Sequence, residues 1–122
     1  MGLKCQVRQV ADVSILDLKG QFSLAMRQPA EGEVHVPEQV RSLLDAGRKK
    51  VVLNLAGVTL MDSAGVGQLI GMLTSARNRG GQIKLLNPSG EVRKLLELTQ
   101  LTKVFDVHES EDRAVQAFAA GA

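Results

Sequence analysis

The sequence predicts a single α/β domain over residues 1–122, with about five strands in a mixed sheet opened by an N-terminal hairpin and about four helices packed on it. Three observations predict this fold. Two segments near the N-terminus carry strand patterning and are separated by a tight turn. From residue 36 onward, helical and strand patterns alternate, the order that calls for parallel crossovers. Among them, Val51-Val52-Leu53-Asn54-Leu55 is a continuous apolar run of the kind found in a strand covered on both faces.

Each element has its own signal. Leu3, Cys5 and Val7 alternate with Lys4 and Gln6, the period of a half-buried strand. Ala11-Asp12 is turn-like, and Val13 to Leu18 reads as a second strand ending at Gly20, so the two form a hairpin. Residues 21–36 hold Pro29, Glu31, Gly32 and Glu33 without a steady period. They are expected to be an irregular loop or insertion, loosely packed because few apolar residues recur at regular spacing. Pro37 suits the first position of a helix whose stripe is Val36, Val40, Leu43 and Leu44, stopped at Gly47.

After the Val51–Leu55 strand and a short loop, Val66, Leu69, Ile70, Leu73 and Ala76 mark a second helix, ended at Gly80-Gly81. Gln82 to Asn87 is a strand. Ser89 is placed to cap a third helix carrying Val92, Leu95, Leu96 and Thr99. Val104 to Val107 reads as a short strand. Ser110 caps a last helix whose Glu111 and Asp112 suit the positive end of its dipole, with Ala114, Val115, Phe118 and Ala119 facing inward. The expected core is Leu53, Leu55, Val66, Ile70, Leu73, Leu85, Leu95 and Phe118.

Composition excludes several function classes. Lys and Arg total 15 against 13 Asp and Glu, and neither half of the chain is strongly basic, so direct nucleic-acid binding is not expected. With no Trp or Tyr and three Phe, there is little material for base-stacking platforms or aromatic cages. The single Cys5 forbids an internal disulfide and points to a reducing compartment. No signal-peptide pattern and no bilayer-spanning apolar stretch is found, so a cytoplasmic protein without membrane insertion is expected.

The residues with chemical potential are Leu60-Met61-Asp62-Ser63-Ala64-Gly65-Val66-Gly67, between a buried strand and a helix, where α/β proteins place ligand sites. Ser63 stands where an N-cap belongs. Gly65 and Gly67 keep the start of the helix bare at a cost of ~1 kcal/mol each against Ala. The plain reading is a capped helix with small residues packed near the sheet.

Enzymatic readings of the same serine fare poorly. A nucleophile elbow needs G-x-S-x-G, and Met61 replaces the first glycine. A triad would further require His108 and an acid such as Asp106 beside Ser63. A dinucleotide fingerprint would need glycine where Ile70 stands, and no Gly-Lys-Ser/Thr of a phosphate loop exists. Two His and one Cys lack any metal-ligand spacing, so neither metal nor cofactor is expected. A serine at a helix N-terminus can, however, accept a phosphoryl group that the helix end tolerates and a partner rejects.

Other features carry lesser readings. Arg48-Lys49-Lys50 reads as a solvated turn serving a helix C-terminus. Leu60, Met61 and Met72 are either a docking rim or core filler, with Met at helical spacing favouring core. His35 and His108 read as isolated surface residues. Thr59 reads as a packing or loop-bonding residue and is an alternative modified hydroxyl.

The run Val51-Val52-Leu53-Asn54-Leu55 followed by Met61-Asp62-Ser63-Ala64-Gly65-Val66-Gly67 resembles the signature of bacterial anti-sigma factor antagonists of the STAS-domain family. Gly80-Gly81-Gln82-Ile83-Lys84-Leu85, Val92-Arg93-Lys94-Leu95-Leu96 and Leu101-Thr102-Lys103-Val104-Phe105 continue it. The likeness runs from about Val51 to Phe118; the N-terminal half matches mainly in element order. It implies a partner-switching regulator and no enzyme. An anti-sigma factor serine kinase would phosphorylate Ser63, the unmodified form would sequester that kinase and free the sigma factor, and a metal-dependent serine phosphatase would restore it. It implies partner contacts at Asp62, Ser63, Ala64, Gly65 and Gly67, in a monomer or weak dimer. Where many members carry an acidic kinase contact three residues after the glycine matching Gly20, this chain has Ser23. The alternative is a STAS scaffold or accessory subunit, of a lipid-transport complex or a stress-signalling assembly, that docks a partner without phosphorylation.

Overall fold

The computed structural model describes residues 3–22 and 36–121. The elements run β1 (Leu3–Val10), β2 (Val13–Phe22), α1 (Val36–Asp45), β3 (Lys50–Met61), α2 (Ser63–Asn78), β4 (Gln82–Leu86), α3 (Gly90–Leu98), a 3₁₀ turn at Leu101–Lys103, β5 (Asp106–His108) and α4 (Glu111–Gly121). The loop expected over 21–36 shrinks at both ends, since β2 continues through Phe22 and α1 begins at Val36. Ser23, His35 and the rest of 23–35 lie outside the described residues, as does the side chain of Ala119.

The five strands lie in the order β1-β2-β3-β4-β5. The expected hairpin is present, with β1 and β2 antiparallel in register from Leu3↔Gly20 to Val10↔Val13. All later pairings are parallel. Right-handed crossovers that always step to the next strand deliver their helices to one face of the sheet. The core shows this. Leu16, Val51, Leu53 and Leu85 pack with Val40 and Leu44 of α1, Leu69 and Met72 of α2, and Val92 and Leu96 of α3. α4 covers the other face, where Ala114 and Phe118 meet Val13, Ile15, Val52 and Leu86. The Val51–Leu55 run is thus covered on both sides, as its composition predicts.

Several expectations need correction. Ile70, placed in the core by spacing, is 45% exposed. On α2 the inward face is Val66, Leu69, Met72, Leu73 and Ala76, and Ile70 lies outside that arc. Leu95 is only partly buried against the main cluster. The last strand starts at Asp106 rather than Val104, because Leu101–Lys103 winds into the 3₁₀ turn and leaves Val104 47% exposed. His108 is not a surface residue; its side chain is 19% exposed, beside Asp106.

The difference that matters most for function is the length of β2 and β3. The sequence predicts strand ends at Gly20 and Leu55, yet β3 continues to Met61 because β2 runs on beside it, pairing Gly20↔Val58, Gln21↔Leu60 and Phe22↔Met61. β4 stays with β3 only as far as Asn54↔Leu86, so the two longer strands leave the sheet as a parallel ribbon. A Cβ on Gly57 would stand 2.8 Å from the Leu18 carbonyl oxygen, so the irregular pairing beside Lys19 needs a glycine there. Thr59 Oγ1 donates to the Gly20 carbonyl at 3.3 Å, and Ser89 Oγ donates to that of Val58 at 2.9 Å. Ser89 therefore pins the ribbon instead of capping α3 with its hydroxyl.

Candidate functional site at the start of α2

The ribbon ends by delivering Asp62 and Ser63 to the first turn of α2. Met61 is buried and anchors the end of β3. Asp62 is extended (φ −114°, ψ −173°), and its Oδ1 accepts the Gly65 N–H at 3.0 Å. Its carbonyl accepts the first helical bond, from Val66 N–H, also at 3.0 Å. Asp62 is therefore the N-cap, and Ser63, expected to cap, is the first helical residue. Asp and Ser cap about equally well, so two such residues in a row leave the sequence pattern ambiguous by one. Here the chain turns at Asp62.

With the cap taken by Asp62, the Ser63 hydroxyl is exposed and makes no hydrogen bond among the described residues. Ala64 is half-buried and Gly65 is buried, so neither continues the outward surface. Gly67, one turn on from Ser63, is exposed, and a Cβ built there meets nothing within 4 Å. Ile70, a turn further, and Leu60 at the ribbon's end are 45% and 47% exposed. The corner is thus a free hydroxyl on a bare helix face, flanked by two exposed aliphatic side chains and the Asp62 carboxylate. Met61 and Met72 belong to the core and not to this rim. Leu60 was visible in the sequence; Ile70 was not, because its spacing fits an inward stripe equally well.

The other chemically suggestive groups are not gathered around Ser63. Asp106 and His108 lie on β5, two strands from β3 in the sheet order. There the Asp106 carboxylate accepts from Lys84 Nζ at 2.7 Å, and His108 Nε2 lies 2.9 Å away. Lys84, which also sits 4.9 Å from the centre of the Phe118 ring, holds the Asp106 carboxyl below the usual range, with His108 adding to the effect. The triad geometry is absent at Ser63. Among the described residues no group of three or more His, Cys, Asp or Glu is placed to hold a metal ion.

A second polar cluster braces the hairpin. Arg8 donates to both Asp17 oxygens and to Glu111 Oε1 at 2.8 Å, and Asn54 Nδ2 donates to Asp17 Oδ1 at 2.7 Å. The Arg8 hydrogen bond holds the Asp17 carboxyl below its ordinary value, while desolvation, followed by the charge of Asp17, pushes the Cys5 thiol up to about 11. The basic run serves the turn as expected: Lys49 Nζ donates to the Leu44 carbonyl at the end of α1, and Lys50 pairs with Asp12. No helix among the described residues is long and apolar enough to cross a membrane.

The STAS domain model matches residues 4–114. An anti-sigma F factor antagonist of Lysinibacillus sphaericus is 30% identical over 91 residues, which cover 70% of this chain and 78% of that one. The crystal structure of a putative anti-sigma factor antagonist from Thermotoga maritima is similar at a TM-score of 0.75 and 24% identity, covering 92% of each chain. The phosphorylated form of the Bacillus cell fate determinant SpoIIAA shares the fold at a TM-score of 0.64 and 23% identity, covering 93% of this chain and 98% of that one.

Proposed function

The chain belongs to the STAS-domain family and is similar there to its anti-sigma factor antagonists, and from that premise we propose that Ser63 is the switch residue of a partner-switching regulator. In its unmodified form the α2 corner docks on an anti-sigma factor serine kinase and so frees a sigma factor. The kinase ends the complex by moving the γ-phosphoryl of ATP to Ser63 Oγ; the bond to ADP breaks and the hydroxyl proton leaves. A metal-dependent phosphatase hydrolyses the ester and resets the protein. Contacts would come from the exposed Asp62, Ser63 and Gly67, with the half-buried Ala64 and buried Gly65 shaping the turn behind them.

The observation that carries this reading is the free, exposed Ser63 hydroxyl on a helix capped by its neighbour. A phosphate there adds roughly −1.5 to −2 charge to a hydroxyl that holds no bond of its own. The open amide end of the helix offsets part of that charge in the free protein. In a complex the same anion would be desolvated beside Asp62, which is costly.

The test is incubation with a candidate anti-sigma serine kinase, ATP and Mg²⁺, followed by intact mass and peptide mapping. One phosphoryl group, absent from Ser63→Ala, supports the reading. Tight binding of that kinase with no modification of Ser63 would favour an accessory scaffold instead.

A further inference from the structure

Asp62 and a phosphoryl group on Ser63 have a claim on the same donor. Asp62 Oδ1 accepts the Gly65 N–H at 3.0 Å, while Val66 N–H is already taken by the Asp62 carbonyl. Ser63 stands two residues before Gly65, a spacing over which side-chain oxygens reach backbone amides. A phosphoserine brings three strong acceptor oxygens and about twice the charge of a carboxylate. Two anions on adjacent residues also repel. Asp62 is exposed and has no other partner among the described residues, so turning it outward gives up no packing.

We propose, on the reading of Ser63 as the modified residue, that phosphorylation exchanges the cap. The phosphate takes the Gly65 N–H, and the Asp62 carboxylate swings out to solvent on the docking face. The partner then meets negative charge from two residues: a phosphate partly offset by helix amides, and a carboxylate released from its amide. Asp62 is a positioning residue in the unmodified protein and a repelling one in the modified protein. The fold keeps one capped helix throughout.

The experiment uses the full chain with phosphoserine installed at position 63 during translation, so it needs no kinase. In ¹H–¹⁵N and ³¹P spectra, the Gly65 amide proton should move with the same pH midpoint as the phosphate resonance. Asp62→Ala should lower Gly65 amide exchange protection on the order of fivefold in the unmodified protein, as a lost cap predicts. In the phosphoprotein the same substitution should change it by less than twofold. A Gly65 amide that ignores the phosphate titration, or equal losses in both forms, overturns the exchange. Neither result bears on whether a kinase modifies Ser63, which the mass measurement decides separately.

Discussion

Replacing Asp62 by Ala removes the one side-chain bond that closes the start of α2, the 3.0 Å contact from Gly65 N–H to Oδ1. The carboxylate is exposed, so no cavity opens, and the cost is that of leaving the Gly65 N–H without its acceptor. The loss should be that of an N-cap, ~1 kcal/mol within a range of about 0.5–2. For a domain of this size that corresponds to a melting temperature lower by roughly 3–5 °C. Asp62→Asn should be nearly neutral, because Asn caps about as well as Asp. Ser63→Ala should stay within about 0.5 kcal/mol of the parent, since the hydroxyl has no bond to lose and Ala is the better helix former. Urea unfolding of the four proteins, compared at constant m-value, measures all of this. A Ser63→Ala loss equal to that of Asp62→Ala, or no loss from Asp62→Ala, would refute the assignment of the cap and with it the freedom of Ser63.

The remaining predictions concern binding, packing and pH. Ser63→Asp should bind the partner kinase at least tenfold more weakly than Ser63→Ala, about 1.4 kcal/mol, in a titration with both melting curves unchanged; equal affinities would remove the charge switch. Ile70→Asp adds charge to a side chain that is 45% exposed, so it should weaken docking while leaving unfolding within about 0.5 kcal/mol of the parent. Leu55→Ala, at a fully buried position of β3, should cost ~2–5 kcal/mol in denaturant unfolding, and a loss near zero would mean that this face is not packed. Asp17 has its folded pKa lowered, chiefly by the Arg8 hydrogen bond, below the ordinary 3.8. Its contribution is therefore complete above that value and is lost as the pH falls through the folded pKa. Asp17→Asn should flatten that part of the acid limb of the stability curve, and an unchanged limb would exclude Asp17 as a contributor.

Much of the fold was legible because its signals are local. The Val51–Leu55 run, the period-two hairpin and the stripe of α1 each state their element within a few residues. The misreadings share one physical source: they depend on which neighbour is present across space. β3 reads as ending at Leu55 because its continuous apolar run stops there, yet a parallel β2 holds it extended to Met61. Ser89 has the right residue type and position for a cap, but the ribbon's Val58 carbonyl claims its hydroxyl. Ile70 fits a helical stripe by spacing, and only the sheet's position decides which arc of α2 is covered. Val104 belongs by composition to a strand, but the 3₁₀ turn before it uses up the approach to β5.

The candidate site was legible in location and misread by one residue in role, and that residue changes the argument about the switch. Had Ser63 been the cap, phosphorylation would have altered a bond on which the helix depends, and signal and stability would have moved together. Asp62 separates them. It holds Gly65 N–H and turns the chain, so the neighbouring hydroxyl is free of structural duty and open to modification. The long β2–β3 ribbon serves the same separation, since its pairing continues past the last β4 contact and carries Ser63 away from the main sheet. Leu53, Leu55 and Leu69, which are fully buried, hold the domain together behind it. A group that must change charge in service is best placed where the fold has the least to lose. Asp62 meets a weaker form of that condition: its cap is worth ~1 kcal/mol, small enough for a phosphate on the next residue to replace.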